Sequence, residues 1–204
     1  MRPVDFSIEH PHRESAAIFR YLSRFFLLAG VFTLGYAAYF YASAYTFQRT
    51  ASISFSYPGP QDAPPVGAIV PEGGVIGRIE IGRLGLSAIV VEGDSPAMLR
   101  RAVGHVPKTA MPGESGNIAL TAHRDTFFRS LGKIQEGDVI TVETTGGEYQ
   151  YAVESTAIVS PTATEVLQSS ENQELTLITC YPFYYVGPAP NRFVVHARKI
   201  DHPL

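Results

Sequence analysis

VIGRIEIGRLGLSAIVVE, residues 75–92, carries the pattern on which the fold reading rests. Two runs rich in β-branched residues, Val75–Ile81 and Leu86–Glu92, flank Gly82-Arg83-Leu84-Gly85. Branched side chains favour strands, and the glycines give the backbone freedom for a tight reversal, so the stretch predicts a β-hairpin. Downstream, Ser95 fits as N-cap and Pro96 as first residue of a short helix whose apolar set is Ala97, Met98, Leu99, Ala102 and Val103. Asn117–Ala122 reads as an apolar strand and Thr126–Ile134 as a helical turn. Val139–Thr144 and Tyr149–Val159 form a second hairpin pattern around Gly146-Gly147. Pro161–Leu167 reads as another helical turn, and Leu175–Thr179 and Phe193–Ile200 as further strands. About seven strands with few helices and frequent turn signals predict a mainly β domain, a barrel or sandwich. We place it at residues 70–204, a usual size for one domain.

Upstream the pattern changes. Phe25 to Phe47 is a run of 23 residues without Asp, Glu, Lys, Arg or His. A helix of about 20 apolar residues crosses a bilayer core, and Tyr36, Tyr39, Tyr41 and Tyr45 sit toward one end, where amphipathic rings favour the interface. Residues 25–47 are therefore expected to be a transmembrane anchor. A cleaved signal peptide, suggested by Ala42-Ser43-Ala44, has an apolar region of only about 7–15 residues. A buried core helix would need a polar face, which the run lacks. Arg2, Arg13, Arg20 and Arg24 precede the run, and only Arg49 and Asp62 follow it within the next 20 residues. The positive-inside rule then predicts residues 1–24 in the cytoplasm and the C-terminal bulk outside. Residues 48–69, with SYPGPQDAPPVG inside them, read as a linker: four prolines and two glycines disfavour packed structure.

The 204-residue chain has a net charge of −3 and a pI near 6.1, which argues against a nucleic-acid partner. One cysteine, Cys180, excludes an internal disulfide framework. No C-x-x-C, H-x-x-x-H, P-loop or G-x-G-x-x-G spacing occurs, so no metal and no cofactor is expected.

Cys180 ends the apolar strand Leu175-Thr176-Leu177-Ile178-Thr179 and precedes a loop with Pro and Gly. A lone cysteine is usually a buried core residue. Its place at a strand end, where loops carry function on a rigid scaffold, favours a nucleophile instead. A cysteine nucleophile works as its thiolate and needs a partner. His10 and His12 precede the anchor, and His202 lies in the tail, leaving His105, His123 and His196. His123 ends the strand Ile118–Ala122 as Cys180 ends its own, which puts it modestly ahead of His105 on position. Acyl transfer also needs an oxyanion donor. Arg192 opens the strand after the cysteine strand and meets Cys180 if the two are antiparallel neighbours; Arg124, Arg129 and Arg198 are rivals.

These residues resemble a known family. Thr176-Leu177-Ile178-Thr179-Cys180 looks like the TLxTC signature of sortases, Ala122-His123-Arg124-Asp125 resembles the sortase histidine segment, and Asn191-Arg192-Phe193-Val194-Val195 resembles its arginine strand. TCYPFYYVGPAPNRFVV is most similar to class D-like sortases. The resemblance implies an eight-stranded β-barrel, one strand more than counted. It implies a membrane-anchored cysteine transpeptidase. Cys180 would attack an LPxTG-like sorting signal to form an acyl-thioester, His123 would act as proton donor and acceptor, and Arg192 would stabilise the oxyanion or position substrate. Thr179 would assist through its hydroxyl or amide, and His105 is carried as a further substrate-binding candidate. Implied partners are proteins bearing the sorting signal and an amine acceptor such as a cell-wall precursor or a pilin lysine. Two other readings remain: a cysteine endopeptidase with water as acceptor, and a non-enzymatic tethered β-domain with Cys180 in its core.

Overall fold

The hairpin signals become the walls of a closed barrel. The computed structural model describes residues 12–54, 70–169 and 171–200. Eight strands, β1 (Val75–Ile81), β2 (Leu86–Glu92), β3 (Val103–His105), β4 (Gly116–Thr121), β5 (Val139–Thr144), β6 (Gly147–Val159), β7 (Gln173–Tyr181) and β8 (Asn191–Ile200), close in the order β1-β2-β3-β4-β7-β8-β6-β5. The alternating side chains of the strands fill the interior with Ile79, Leu120, Tyr151, Leu177 and Val195 among others, all fully buried. Burial raises the Tyr151 hydroxyl pKa well above the usual tyrosine range.

The strand missing from the sequence count is β3. The apolar residues Ala102 and Val103 continue the helical spacing of Pro96–Leu99, but the helix α2 stops at Leu99. Val103 instead enters the barrel interior while Ala102 packs outside. Three residues are too few to show a period of two, so nothing in the pattern opposed the helical reading of Val103.

Two of the eight pairings are parallel, β2 with β3 and β4 with β7. The rest are antiparallel. The parallel pairing of β4 and β7 decides the layout. Its consequence is that the ends of β1, β4, β6 and β7 and the starts of β2, β5 and β8 share one end of the barrel. The chain must therefore travel from the end of β6 back to the far end before β7 can begin. It does so across the outer face of β4 and β7, through a 3₁₀ turn at Thr164–Leu167. Asn117 of β4 pins this crossing by donating to the carbonyls of Val166 (3.0 Å) and Gln168 (3.3 Å) and accepts the Thr176 hydroxyl (2.8 Å).

At the shared end, Arg83 in the β1–β2 turn donates to both Asp138 carboxylate oxygens and to the Lys133 carbonyl. Asp138 also accepts the Gln135 amide at 2.8 Å. This network ties the β1–β2 turn to the β4–β5 connection. The Arg83 hydrogen bonds hold the Asp138 carboxyl below its usual range.

Before the barrel runs one helix, α1 (His12–Ser54). The chain divides into two compact units at Ser43/Ala44. In the first, α1 is exposed and apolar; the stretch Ile18–Ser52, which runs on into the second unit, is long and apolar enough to cross a membrane. That stretch rises about 52 Å, longer than the about 30 Å of a hydrocarbon core. The last turns of α1, from Ala44 on, belong to the barrel unit. Ala51 and Phe47 pack with Ile89, Val91, Ala102 and Met98 on the outside of β2. Gln48 accepts the Ile89 amide (2.9 Å) and donates to the Arg101 carbonyl (2.7 Å), extending the sheet hydrogen bonding with a side chain. The expected linker thus begins as helix through Ser54, because apolar Ala51 and Phe47 find a surface to cover; its residues 55–69 lie outside the described residues, as do residues 1–11 and the tail from 201.

Two outcomes follow. Gln48→Ala leaves a strand amide and a carbonyl without their partner and lowers barrel stability by about 1–2 kcal/mol, seen as a lower urea midpoint at unchanged m-value. Asp138→Asn costs stability at neutral pH. Because the folded carboxyl titrates below the usual value of about 3.9, its contribution is present above that value and lost as pH falls through the folded one. The gap between variant and parent, measured by denaturant melts, closes below about pH 4.

Candidate active site

The parallel β4–β7 ladder ends at Thr121 opposite Ile178. Two residues further along each strand stand His123 and Cys180. The intervening residues lock the two chains together at this level. The Ala122 amide donates to the Ile178 carbonyl (3.3 Å), and the Thr179 hydroxyl donates to the Ala122 carbonyl (2.7 Å). Ala122 and Thr179 are buried, so the hydroxyl is spent on positioning the His123 segment. Strand alternation turns Cys180 away from buried Leu177 and Thr179, onto the outer face. It is a half-buried free thiol, and so not the core residue of the non-enzymatic reading.

On the other flank β8 is antiparallel to β7, with Arg192 directly opposite Cys180. Opposed residues share a face with Cβ atoms about 4.5–5.5 Å apart. The Arg192 guanidinium donates to the Asn191 carbonyl (3.1 Å), and among the described residues it forms no ion pair, leaving donors of a permanent cation beside the thiol.

The rivals either hold other partners or stand elsewhere in the fold. Arg124 donates to the carbonyls of Pro182 (2.8 Å), Tyr185 (2.8 Å) and Gly187 (3.1 Å), with its guanidinium 5.7 Å from the Tyr185 ring centroid. Arg198 pairs with Glu154 at 3.1 Å. Arg129 sits in the 3₁₀ turn Arg129–Lys133, exposed at the barrel end. His196 faces Thr176, four residues from the Cys180 level, or about 13 Å along the strand. His105 is 2% exposed on β3. Its Nδ1 meets Glu92 (2.6 Å) and its Nε2 meets the Thr109 hydroxyl (2.9 Å) and the Ala110 carbonyl (3.0 Å). Both ring nitrogens are occupied in fixing the β3–β4 loop, and His105 stands opposite Leu120, at the level of Leu177 and two strands from Cys180.

His123 is half-buried, and its ring has no hydrogen-bond partner among the described residues. Exposed Asp125 makes no ion pair among them, so the arrangement is a histidine–cysteine–arginine set without an orienting carboxylate. Among the described residues no group of three or more His, Cys, Asp or Glu is placed to hold a metal.

Sequence reasoning treated Arg124 as a competitor for the oxyanion role and missed its real contacts. It joins the residue after the histidine to the loop after the cysteine. That loop, β7–β8, also rests its Phe183 ring on Gly132, where an added Cβ would lie 3.2 Å from it. Phe183 packs edge-on against Phe193 at 5.3 Å. The signal that could have found Arg124 is its adjacency to His123 combined with the lack of acidic residues in residues 181–190. Arg124→Ala frees three carbonyls, and hydrogen exchange at amides 183–187 should speed up by about tenfold or more. Arg124→Lys should recover little of this protection, since an ammonium lacks the planar fork.

Comparison with known proteins agrees with this geometry. The family model described as Sortase, Sortase domain, matches residues 79–200. Sortase D of Bacillus subtilis (strain 168) is 37% identical over 125 residues, covering 61% of this chain and 63% of that relative. The structure of a Clostridium perfringens Sortase D5 transpeptidase superposes with a TM-score of 0.68 at 27% identity, covering 78% of this chain and 99% of the other. A Clostridium perfringens sortase C solved with the C-terminal cell wall sorting motif gives 0.60 at 28% identity, covering 65% and 74%. A domain match running from within β1 to the last residue of β8, over a barrel of the expected eight strands, makes this chain a member of the sortase family.

Proposed function

We propose that this protein is a membrane-anchored, class D-like cysteine transpeptidase that cleaves an LPxTG-like sorting signal and passes the acyl group to an amine. The observation carrying this reading is the register of β8 on β7, which sets Arg192 opposite Cys180 while β4 ends at the same level with His123. The Cys180 thiol passes its proton to His123, and its sulfur attacks the scissile carbonyl carbon. Charge gathers on the carbonyl oxygen, where the Arg192 donors stabilise it. The C–N bond breaks, and the leaving amine takes a proton from His123. An acceptor amine then attacks the thioester, gives its proton to His123, and the C–S bond breaks. The acyl group ends on the acceptor, and the thiol is regenerated.

Support for the sorting signal comes from the sortase C relative solved with such a motif. The acceptor is an amine on a cell-wall precursor or a pilin lysine. For the anchor, the four arginines before Phe25 favour an N-terminus inside and the barrel outside.

The test uses the full chain in detergent micelles with LPxTG-type peptides. Cys180→Ala should abolish cleavage, and undiminished cleavage would overturn the proposal. Arg192→Ala should lower kcat about 10²–10³-fold with a smaller change in KM, as expected for a group acting on the transition state. Product masses with and without an added amine separate transfer from hydrolysis. Amine-independent hydrolysis alone would favour the endopeptidase reading. For topology, a membrane-impermeant thiol reagent should label the single cysteine in intact cells; labelling only after permeabilisation would reverse the orientation.

A further inference from the structure

Acyl transfer has two substrates, and the barrel offers two different surfaces, the outer face on which Cys180 stands and the end at which β4 and β7 finish. One is the outer face of β4 and β7, walled by the crossing segment that Asn117 pins. The other is the barrel end itself. There an open cavity of about 490 Å³ lies between the β1–β2 turn, the 3₁₀ turn Arg129–Lys133 and the β7–β8 loop. Its lining includes Thr126, Phe127, Arg129, Ser130, Lys133 and Tyr184. It begins one turn from the histidine, because the Thr126 amide donates to the His123 carbonyl. Tyr184 is four residues past Cys180 on a loop that Arg124 holds in place.

The charge of this cavity is unexpected. Residues 70–204 carry 11 Lys+Arg and 15 Asp+Glu, a balance of −4, yet the lining holds two cations and no carboxylate. Neither Arg129 nor Lys133 forms an ion pair among the described residues. Of the carboxylates around the cavity, Asp138 and Glu80 have partners of their own, Glu80 through the lining hydroxyl of Ser87, while exposed Asp125 and Glu136 form no ion pair among the described residues. Asp138 is taken by Arg83, and Glu80 accepts the Ser87 hydroxyl and faces Arg78 at 3.8 Å. Asp125 precedes Thr126 but is not part of the lining.

We propose that this end cavity is an anion subsite for the acceptor: Arg129 and Lys133 hold a carboxylate or phosphate carried by the incoming amine while its nitrogen reaches the thioester on Cys180. The proposal rests on the acyl-transfer reading above and specifies its second substrate. A guanidinium and an ammonium match such groups with charge-assisted hydrogen bonds. The same positive field disfavours an ammonium, so it admits the acceptor nitrogen in the neutral, nucleophilic form that attack requires.

The experiment compares acceptors of one size and different charge, with the full chain in micelles and a fixed donor peptide. Glycylglycine carries a carboxylate, 2-aminoethyl phosphate carries a phosphate, and glycylglycinamide carries neither. The two anionic acceptors distinguish a peptide-like source from a phosphate-bearing one. At low salt the better anion should exceed the amide about tenfold in kcat/KM for transfer. The preference should shrink below about twofold at 0.5 M salt and in Arg129→Gln/Lys133→Gln. Equal use of all three acceptors, or a preference that survives salt and the double substitution, would overturn the subsite. The wild-type comparison and its salt dependence stand even if the variant fails to fold. A second measurement needs no turnover: inorganic pyrophosphate and N-acetylglycine are titrated while amide resonances are followed. Shifts centred on residues 126–133 support the site, and shifts elsewhere or none reject it. Absence of donor cleavage would therefore sink the transpeptidase reading, whereas the titration judges the anion subsite separately.

Discussion

The parallel hydrogen bonding of β4 to β7 is the constraint on which the rest of the molecule depends. An antiparallel neighbour for β4 would have sent the cysteine strand the other way and left His123 and Cys180 at opposite ends. Parallel pairing brings both C-terminal ends to one level. It also forces a long return crossing, and that crossing becomes a wall over the outer face beside the thiol. The antiparallel partner β8 then starts where β7 finishes, which delivers Arg192 without any further device. One choice of strand direction thus assembles three side chains from sequence positions 123, 180 and 192.

Polar side chains, most of them buried, keep that assembly in register. Thr179 spends its hydroxyl on the carbonyl before His123, Asn117 reads the crossing backbone, and Arg83 with Asp138 braces the turns at the same end. Each of these side chains bonds to backbone or to a charged partner that would otherwise be costly to bury. None of them touches the reacting atoms as we propose them, yet each fixes where those atoms stand.

Much of this was legible in the sequence, and the reasons differ by element. The hairpins β1–β2 and β5–β6 announced themselves because both strands and their glycine turns lie within one short window. Cys180 and His123 could be singled out because each follows a strand-like run. The antiparallel neighbourhood of Arg192 and Cys180 stood in the sequence only as a condition, which the register of β8 on β7 meets. What could not be read was of two kinds. β3 is too short to have a pattern, and its Val103 imitates the helix before it. Long-range bonds such as Arg124 to the β7–β8 loop or Gln48 to Ile89 join residues 41 to 63 positions apart, and a local pattern carries no trace of them. The resemblance to sortases supplied the eighth strand before the register did. The three close partners of His105, by contrast, came into view only with the structure.

The grip of Arg124 on the β7–β8 loop has an evolutionary side. It holds carbonyl oxygens, which every residue type provides, and it ignores the side chains around them. Tyr184 is 89% exposed and Val186 wholly so. The tip can therefore change its chemistry by drift or selection without loosening its own attachment. A surface beside a conserved reaction that is free to vary is how one scaffold can come to serve many different pairs of proteins.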